Sequence, residues 1–305
     1  MAIVAEEKSE NGITDQFQAK EVPIQTVTEI VMSYEIPDLV FPYELVDPHP
    51  KSTMLIRMSH DWLASHGVDQ RLGPEIWYRL VQHNTPDILT YILEDVDDKE
   101  FLLFCKFMLV LYSVDTLLDD TAIGKEWRYL WFSFSKSSSY SSCDLKLSHV
   151  ALAWKEFWAE YQSYSMPYDY NVVVDAIISR TGPGIPMELF HSDPMQRLLL
   201  TVTDAVSWDN DIFSVYKECI VNKDKHNLVH IISEEQGCTY SKAVEFARQM
   251  IDDTIMDMEA AISDLRKAAP EGALHAVEKY ASTCRNWVSG SHAWHAKSLR
   301  YKAHP

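Results

Sequence analysis

An all-helical, single-domain bundle is the fold this sequence predicts, and three observations predict it. Long stretches carry apolar residues at helical spacing. Nine glycines are few for 305 residues, and no strand-turn-strand rhythm repeats. No linker, internal repeat or shift in composition divides the chain. Apolar residues make up 47% of it, enough to bury one large core with a pocket inside.

Taken in order, residues 1–35 are polar and acidic, and Glu6-Glu7-Lys8-Ser9-Glu10 follows neither the helical nor the strand period. They read as a flexible N-terminal arm, leaving 36–305 as the folded domain. Pro37, Pro42, Pro48 and Pro50 keep the next stretch extended, so the first helix is expected from Ser52 to Ser65, stopping at Gly67. A second is expected from Pro74 to Leu93. The third, Lys99 to Leu118, carries Phe101, Phe104, Phe107, Met108, Leu111 and Tyr112; that is too apolar for a surface helix and places it centrally. An aromatic helix with Trp127 and Trp131 then runs into a serine-rich loop, Ser133 to Ser142. Helices follow from Ser148 to Tyr164 and Asp169 to Ser179, before a sharp break at Gly182-Pro183-Gly184-Ile185-Pro186. The remaining helices are expected over Met195 to Val221, Asn227 to Glu235, Ser241 to Ala268 and Pro270 to Tyr301.

A formal net charge of -18 argues against nucleic acid or an anionic membrane as partner, and such a surface attracts metal cations instead. Five cysteines, odd in number, widely scattered and without a CxxC pair, fit a reducing compartment rather than a disulfide framework. No basic-then-apolar leader and no bilayer-length apolar run is present, so a soluble cytoplasmic protein without integral membrane contact is expected. Oligomeric state stays open, a homodimer included, because any apolar stripe that could form an interface could equally be core.

The stretch Trp208-Asp209-Asn210-Asp211-Ile212-Phe213-Ser214-Val215-Tyr216-Lys217-Glu218 is the chemical centre of the chain. On a helix, Asn210, Ser214 and Glu218 fall at i, i+4 and i+8, which puts an amide, a hydroxyl and a carboxylate oxygen on one face. Hard divalent cations such as magnesium take oxygen donors of this kind and keep positions free for water or phosphate. Lys217 adds a cation that could reach a phosphate oxygen. A polar stripe at this spacing is also what a solvated face looks like, but the apolar flanks Leu198 to Val202 and Ile212 to Val215 describe a buried helix. A carboxylate there needs a partner.

A second acidic cluster, Asp115-Thr116-Leu117-Leu118-Asp119-Asp120, closes the central apolar helix. Asp115 and Asp119 stand one turn apart at a helix C-terminus, where they repel each other and oppose the macrodipole unless cations bridge them.

With these two motifs the chain resembles the class I terpene synthases, most closely the microbial and especially the fungal sesquiterpene cyclases. Asp115 to Asp120 resembles the family's aspartate-rich motif, and Asn210 to Glu218 its second metal motif. Arg300-Tyr301 is similar to the C-terminal arginine-tyrosine pair, Arg180-Thr181 to the diphosphate-sensing region, and Asp47-Pro48-His49 with Trp62 to the entry of the first core helix. The resemblance implies a class I terpenoid synthase bundle around a central apolar cavity. It implies three magnesium ions, with manganese as a substitute, and cyclisation of a linear prenyl diphosphate, farnesyl diphosphate being the expected one. Asp115 and Asp119 would hold metal opposite Asn210, Ser214 and Glu218; Arg180, Lys217, Arg300 and Tyr301 would bind diphosphate; Tyr112 and Trp294 would line the pocket. Two features depart from the family: Thr116 stands where a second acid is usual, and the interval from Arg180 to Asn210 is short. A linear prenyltransferase, or a helical binding or scaffold protein that lost its activity, are the alternatives.

Overall fold

The computed structural model describes residues 41–118, 145–164 and 184–302. Every regular element among them is a helix, with no strand. The expected N-terminal arm, the Trp127/Trp131 helix, the serine-rich loop and the 169–179 helix lie outside the described residues, as do Asp119 and Arg180.

The first half is built on two apolar helices. α1 (Ser52–Ser65) buries Leu55, Ile56, Ser59 and Leu63, one face of a helical repeat, against the later helix α4 (Asp98–Leu118). Gly67, at φ 71°, ends α1 and starts the short α2 (Val68–Leu72). The expected helix from Pro74 to Leu93 is divided. α3 (Pro74–His83) stops at Asn84, which adopts φ 45°, and a 3-10 helix covers Thr85–Tyr91. A left-handed residue cannot continue an α-helix, and Pro86 two residues on has no N–H to offer it.

As expected, α4 is central. Phe101, Leu103, Phe104, Cys105, Phe107, Met108, Leu109 and Val110 are all buried, which leaves no polar face. Lys106 is buried among them, and its ammonium is satisfied by Glu160 at 2.5 Å and lies 5.2 Å from the Trp62 ring centroid. Glu160 belongs to α5 (Leu145–Tyr164), which packs along α4.

In the second half, Pro186 leads into α6 (Met187–Phe190) and α7 (Asp193–Val215). α7 does not run as α-helix to Val221 as expected; residues Tyr216–Val221 form a π-helical turn. α8 (Leu228–Gln236) starts on Asn227, whose side-chain oxygen accepts the Val229 and His230 amides. α9 (Tyr240–Ala268) is capped by Thr239 and packs along the length of α7.

The last long helix, α10 (Leu274–Lys297), follows a 3-10 turn at Glu271–Ala273 and joins the halves by packing on both α7 and the Thr85–Tyr91 helix. Gly290 lies at that crossing. A Cβ there would stand 2.4 Å from the Tyr91 carbonyl oxygen, so the two backbones meet with no room for a side chain. The helix expected to reach Tyr301 ends at Lys297, because Ser298 is extended and its hydroxyl takes the Arg300 amide at 3.2 Å. That bend lets the C-terminal residues return to the bundle. Among the described residues no helix is long and apolar enough to cross a membrane.

Candidate active site

The end of α7 and the turn after it carry the second motif. Asn210 and Ser214 are on regular α-helix, and Glu218 follows in the π turn, which alters its angle relative to the simple i+8 expectation. Ser214 is buried, while Asn210, Lys217 and Glu218 are half-buried. Asn227 gathers this group. Its amide nitrogen lies 3.1 Å from Glu218 Oε2, 3.4 Å from Ser214 Oγ and 2.9 Å from the Asp211 carbonyl. Hydroxyl and carboxylate oxygens have further lone pairs, so these contacts orient Ser214 and Glu218 without using up their capacity to bind a cation.

Charge at this spot is unbalanced toward the negative. Burial pushes the Asp211 carboxyl up to about 6, the Leu228 amide bonded to it at 2.8 Å works the other way, and nearby Glu218 raises it further. Burial together with Glu218, Asp224 and Asp211 pushes the Cys219 thiol up to about 12. Oxygen donors in a negative field are of the kind a hard divalent cation takes, and Asn210, Ser214 and Glu218 are the residues here that could hold one.

The opposite wall is the end of α4. Asp115 Oδ2 accepts a hydrogen bond from Arg300 Nη2 at 2.5 Å. The guanidinium is buried, which disfavours its charge, yet the Tyr301 and Tyr112 phenols and the Asp115 carboxylate hold it above its ordinary value. It lies 4.9 Å from the Tyr112 ring centroid and 5.9 Å from that of Tyr301. Tyr301 then reaches α7: its phenol oxygen is 2.6 Å from Asn210 Nδ2. An unbroken chain of contacts, Asp115 to Arg300 to Tyr301 to Asn210, therefore joins the two motifs. Burial raises the Tyr301 phenol well above its usual value, so it serves as a neutral hydrogen-bonding group. Trp294 is buried behind this chain, ringed by Tyr112 at 6.1 Å, Tyr301 at 5.8 Å and His295 at 5.5 Å.

Of the residues singled out from sequence, Tyr112, Asp115, Asn210, Trp294, Arg300 and Tyr301 are thus brought together, with Ser214 and Glu218 continuing along the same helix. Lys217 lies in the π turn beside them. Sequence reasoning missed Asn227, Asp209, Asp211, His292 and His295. Asn227 could have been found as an N-cap before an apolar run, and Asp209 as an acid in a buried helix that must have a partner.

Comparison with known proteins bears on the same region. Residues 169–257 match the family described as "Terpene synthase family 2, C-terminal metal binding". The alpha-gurjunene synthase of Marchantia polymorpha is 27% identical over an alignment covering 88% of this chain and 86% of that enzyme. The germacrene A synthase of Nostoc punctiforme is 29% identical, but over only 38% of this chain and 36% of its own length. Ligand-free hedycaryol synthase superposes with a TM-score of 0.69 at 20% identity, across 87% of this chain and all of that one. These likenesses support a class I terpene synthase.

The family match takes in Asn210, Ser214, Glu218 and Asn227 and ends before α10, so Asp115, Arg300 and Tyr301 join the site by geometry alone. Because Asn227 both caps α8 and orients two site oxygens, Asn227→Ala is expected to lower stability by about 2 kcal/mol. A urea midpoint unchanged from wild type would remove it from both tasks.

Proposed function

We propose that this terpene synthase ionises and cyclises a linear prenyl diphosphate, farnesyl diphosphate, to a sesquiterpene hydrocarbon or alcohol, releasing diphosphate in a magnesium-dependent reaction. The observation that carries this reading is the Asp115–Arg300–Tyr301–Asn210 chain, which brings the acidic end of α4 and the oxygen-rich end of α7 to one place. Asp115 on one side and Asn210, Ser214 and Glu218 on the other would hold the magnesium ions, three being the expected number and manganese the expected substitute. Bound there, the ions supply Lewis-acid stabilisation of the departing diphosphate. Arg300 and Tyr301 donate hydrogen bonds to the same leaving oxygens, with Lys217 and Arg180 in the same role, and these bonds strengthen as charge develops.

Tyr112, one turn before Asp115, turns an aromatic ring toward the guanidinium of Arg300, and the same electron-rich face suits an allylic carbocation. Trp294 stiffens that wall from behind. Excluding water from the site would keep the cation from being quenched to an open-chain alcohol.

Incubation with farnesyl diphosphate and magnesium is expected to yield a cyclic sesquiterpene by gas chromatography, and chelation is expected to abolish it. Geranyl and geranylgeranyl diphosphate run in parallel test the chain length. A longer linear diphosphate as product would instead identify a chain-elongating enzyme, and no turnover of any of the substrates would overturn the proposal.

A further inference from the structure

Behind Asn210 lies a buried polar cluster that the chemistry above does not use. Asp209, 1% exposed in an apolar helix, accepts hydrogen bonds from two imidazoles: His292 Nδ1 at 2.8 Å on Oδ1 and His295 Nδ1 at 2.5 Å on Oδ2. A carboxylate held with one oxygen on each of two ring nitrogens accepts from both, so each histidine carries its proton on Nδ1.

For His295, itself buried, that assignment has a consequence on the far side of the ring. A neutral imidazole protonated at Nδ1 has a bare lone pair at Nε2, and this atom lies 3.5 Å from Asn210 Nδ2, a long hydrogen bond. The Tyr301 phenol oxygen sits 2.6 Å from the same amide nitrogen. One amide group has two N–H bonds, and here it meets two acceptors. With both hydrogens so committed, the amide oxygen is turned the other way. Without them the amide could rotate by half a turn and present its hydrogens, which a cation repels.

We propose that Asp209 and His295 are positioning residues for Asn210, the carboxylate setting the imidazole tautomer and the imidazole setting the amide so that its oxygen faces the divalent ion. The inference rests on Asn210 being a metal ligand, as proposed above. It assigns the cluster a part in metal affinity, which a merely space-filling trio would not have.

The test measures binding of Mn2+ in the presence of inorganic pyrophosphate, by the electron paramagnetic resonance signal of free Mn2+. The full chain is compared with its Asp209→Asn, His295→Phe and Asn210→Ala variants. Loss of an outer partner of this kind is expected to weaken binding roughly 10- to 100-fold. Combining Asp209→Asn with Asn210→Ala is expected to add no further loss, because the first acts only through the second. Full affinity in Asp209→Asn and His295→Phe, alongside a loss in Asn210→Ala, would overturn the positioning role alone. No change in Asn210→Ala would instead overturn the metal assignment beneath it. A second measurement needs no variant to fold: the 15N shifts of the His295 ring in the wild-type protein at neutral pH are expected to show Nδ1 protonated and Nε2 bare. A protonated Nε2 would overturn the proposal by itself.

Discussion

Asn210→Ala is expected to cut turnover of farnesyl diphosphate by a factor of about 10² to 10³ at saturating magnesium, the range seen when one preorganised partner of a developing charge is lost. Asn210 stands at the junction of everything assembled here: it is the first oxygen donor of the α7 motif, it touches Tyr301, and through Tyr301 and Arg300 it reaches Asp115. Truncation also takes away the amide hydrogens that satisfy Tyr301 and His295. Asn210 is only half-buried and no core apolar contact goes with it, so the stability cost should be about 1 kcal/mol. The melting temperature should then fall by no more than about 4 °C. Activity and stability are thereby separated, as they would not be for a core residue. Asp115→Ala should cut turnover likewise from the other wall, but at a larger cost in stability, since it leaves the buried Arg300 guanidinium without its carboxylate partner. Single-turnover rates near wild type in both variants would dissolve the two-walled site.

Gly290→Ala is expected to do the reverse, unfolding the protein rather than silencing it. In a helix interior alanine is favoured over glycine by about 1 kcal/mol, so on propensity alone the change should stabilise. Packing decides otherwise. The new methyl would stand 2.4 Å from the Tyr91 carbonyl oxygen and 2.8 Å from Ile92 Cγ1, and the first of these is backbone that cannot rotate away. α10 must lift off the Thr85–Tyr91 helix, at a net cost of about 2 to 4 kcal/mol, the upper end of what overpacking usually brings. The midpoint of thermal unfolding should drop by roughly 5 to 10 °C. Gly272→Ala, where a Cβ meets nothing within 4 Å, is the control and should shift it little. Because His292, Trp294 and His295 follow Gly290 on the same helix, residual folded protein should also bind its metal less well. Equal melting curves for the two variants would show that the crossing is looser than it looks.

Helices were legible wherever a long apolar period ran without interruption. α1 matches its expected bounds, α4 and α9 start a single residue from theirs, and the burial of α4 follows directly from its composition. Boundaries failed where one residue's backbone overrode the pattern: Asn84 in the left-handed region divides the second helix, and Ser298 ends the last one early. The π turn at Tyr216–Val221 has no signature that a period could reveal. Nor could the partners of Asp209, since His292 and His295 come from a helix more than eighty residues later.

Through a family resemblance the sequence pointed to the arginine-tyrosine pair near the C-terminus, and by itself it determined which oxygen donors are chemically able to act: Asn210, Ser214, Glu218 and the acid at Asp115. These are properties of residue type and local spacing, and both are written along the chain. Tertiary structure alone decided which of them meet. The close crossing at Gly290 and the bend at Ser298 carry Arg300 and Tyr301 back between α4 and α7, and Asn227 returns from the start of α8 to orient Ser214 and Glu218. Such contacts depend on how packed helices sum their shapes over the whole core, which no local window of residues contains.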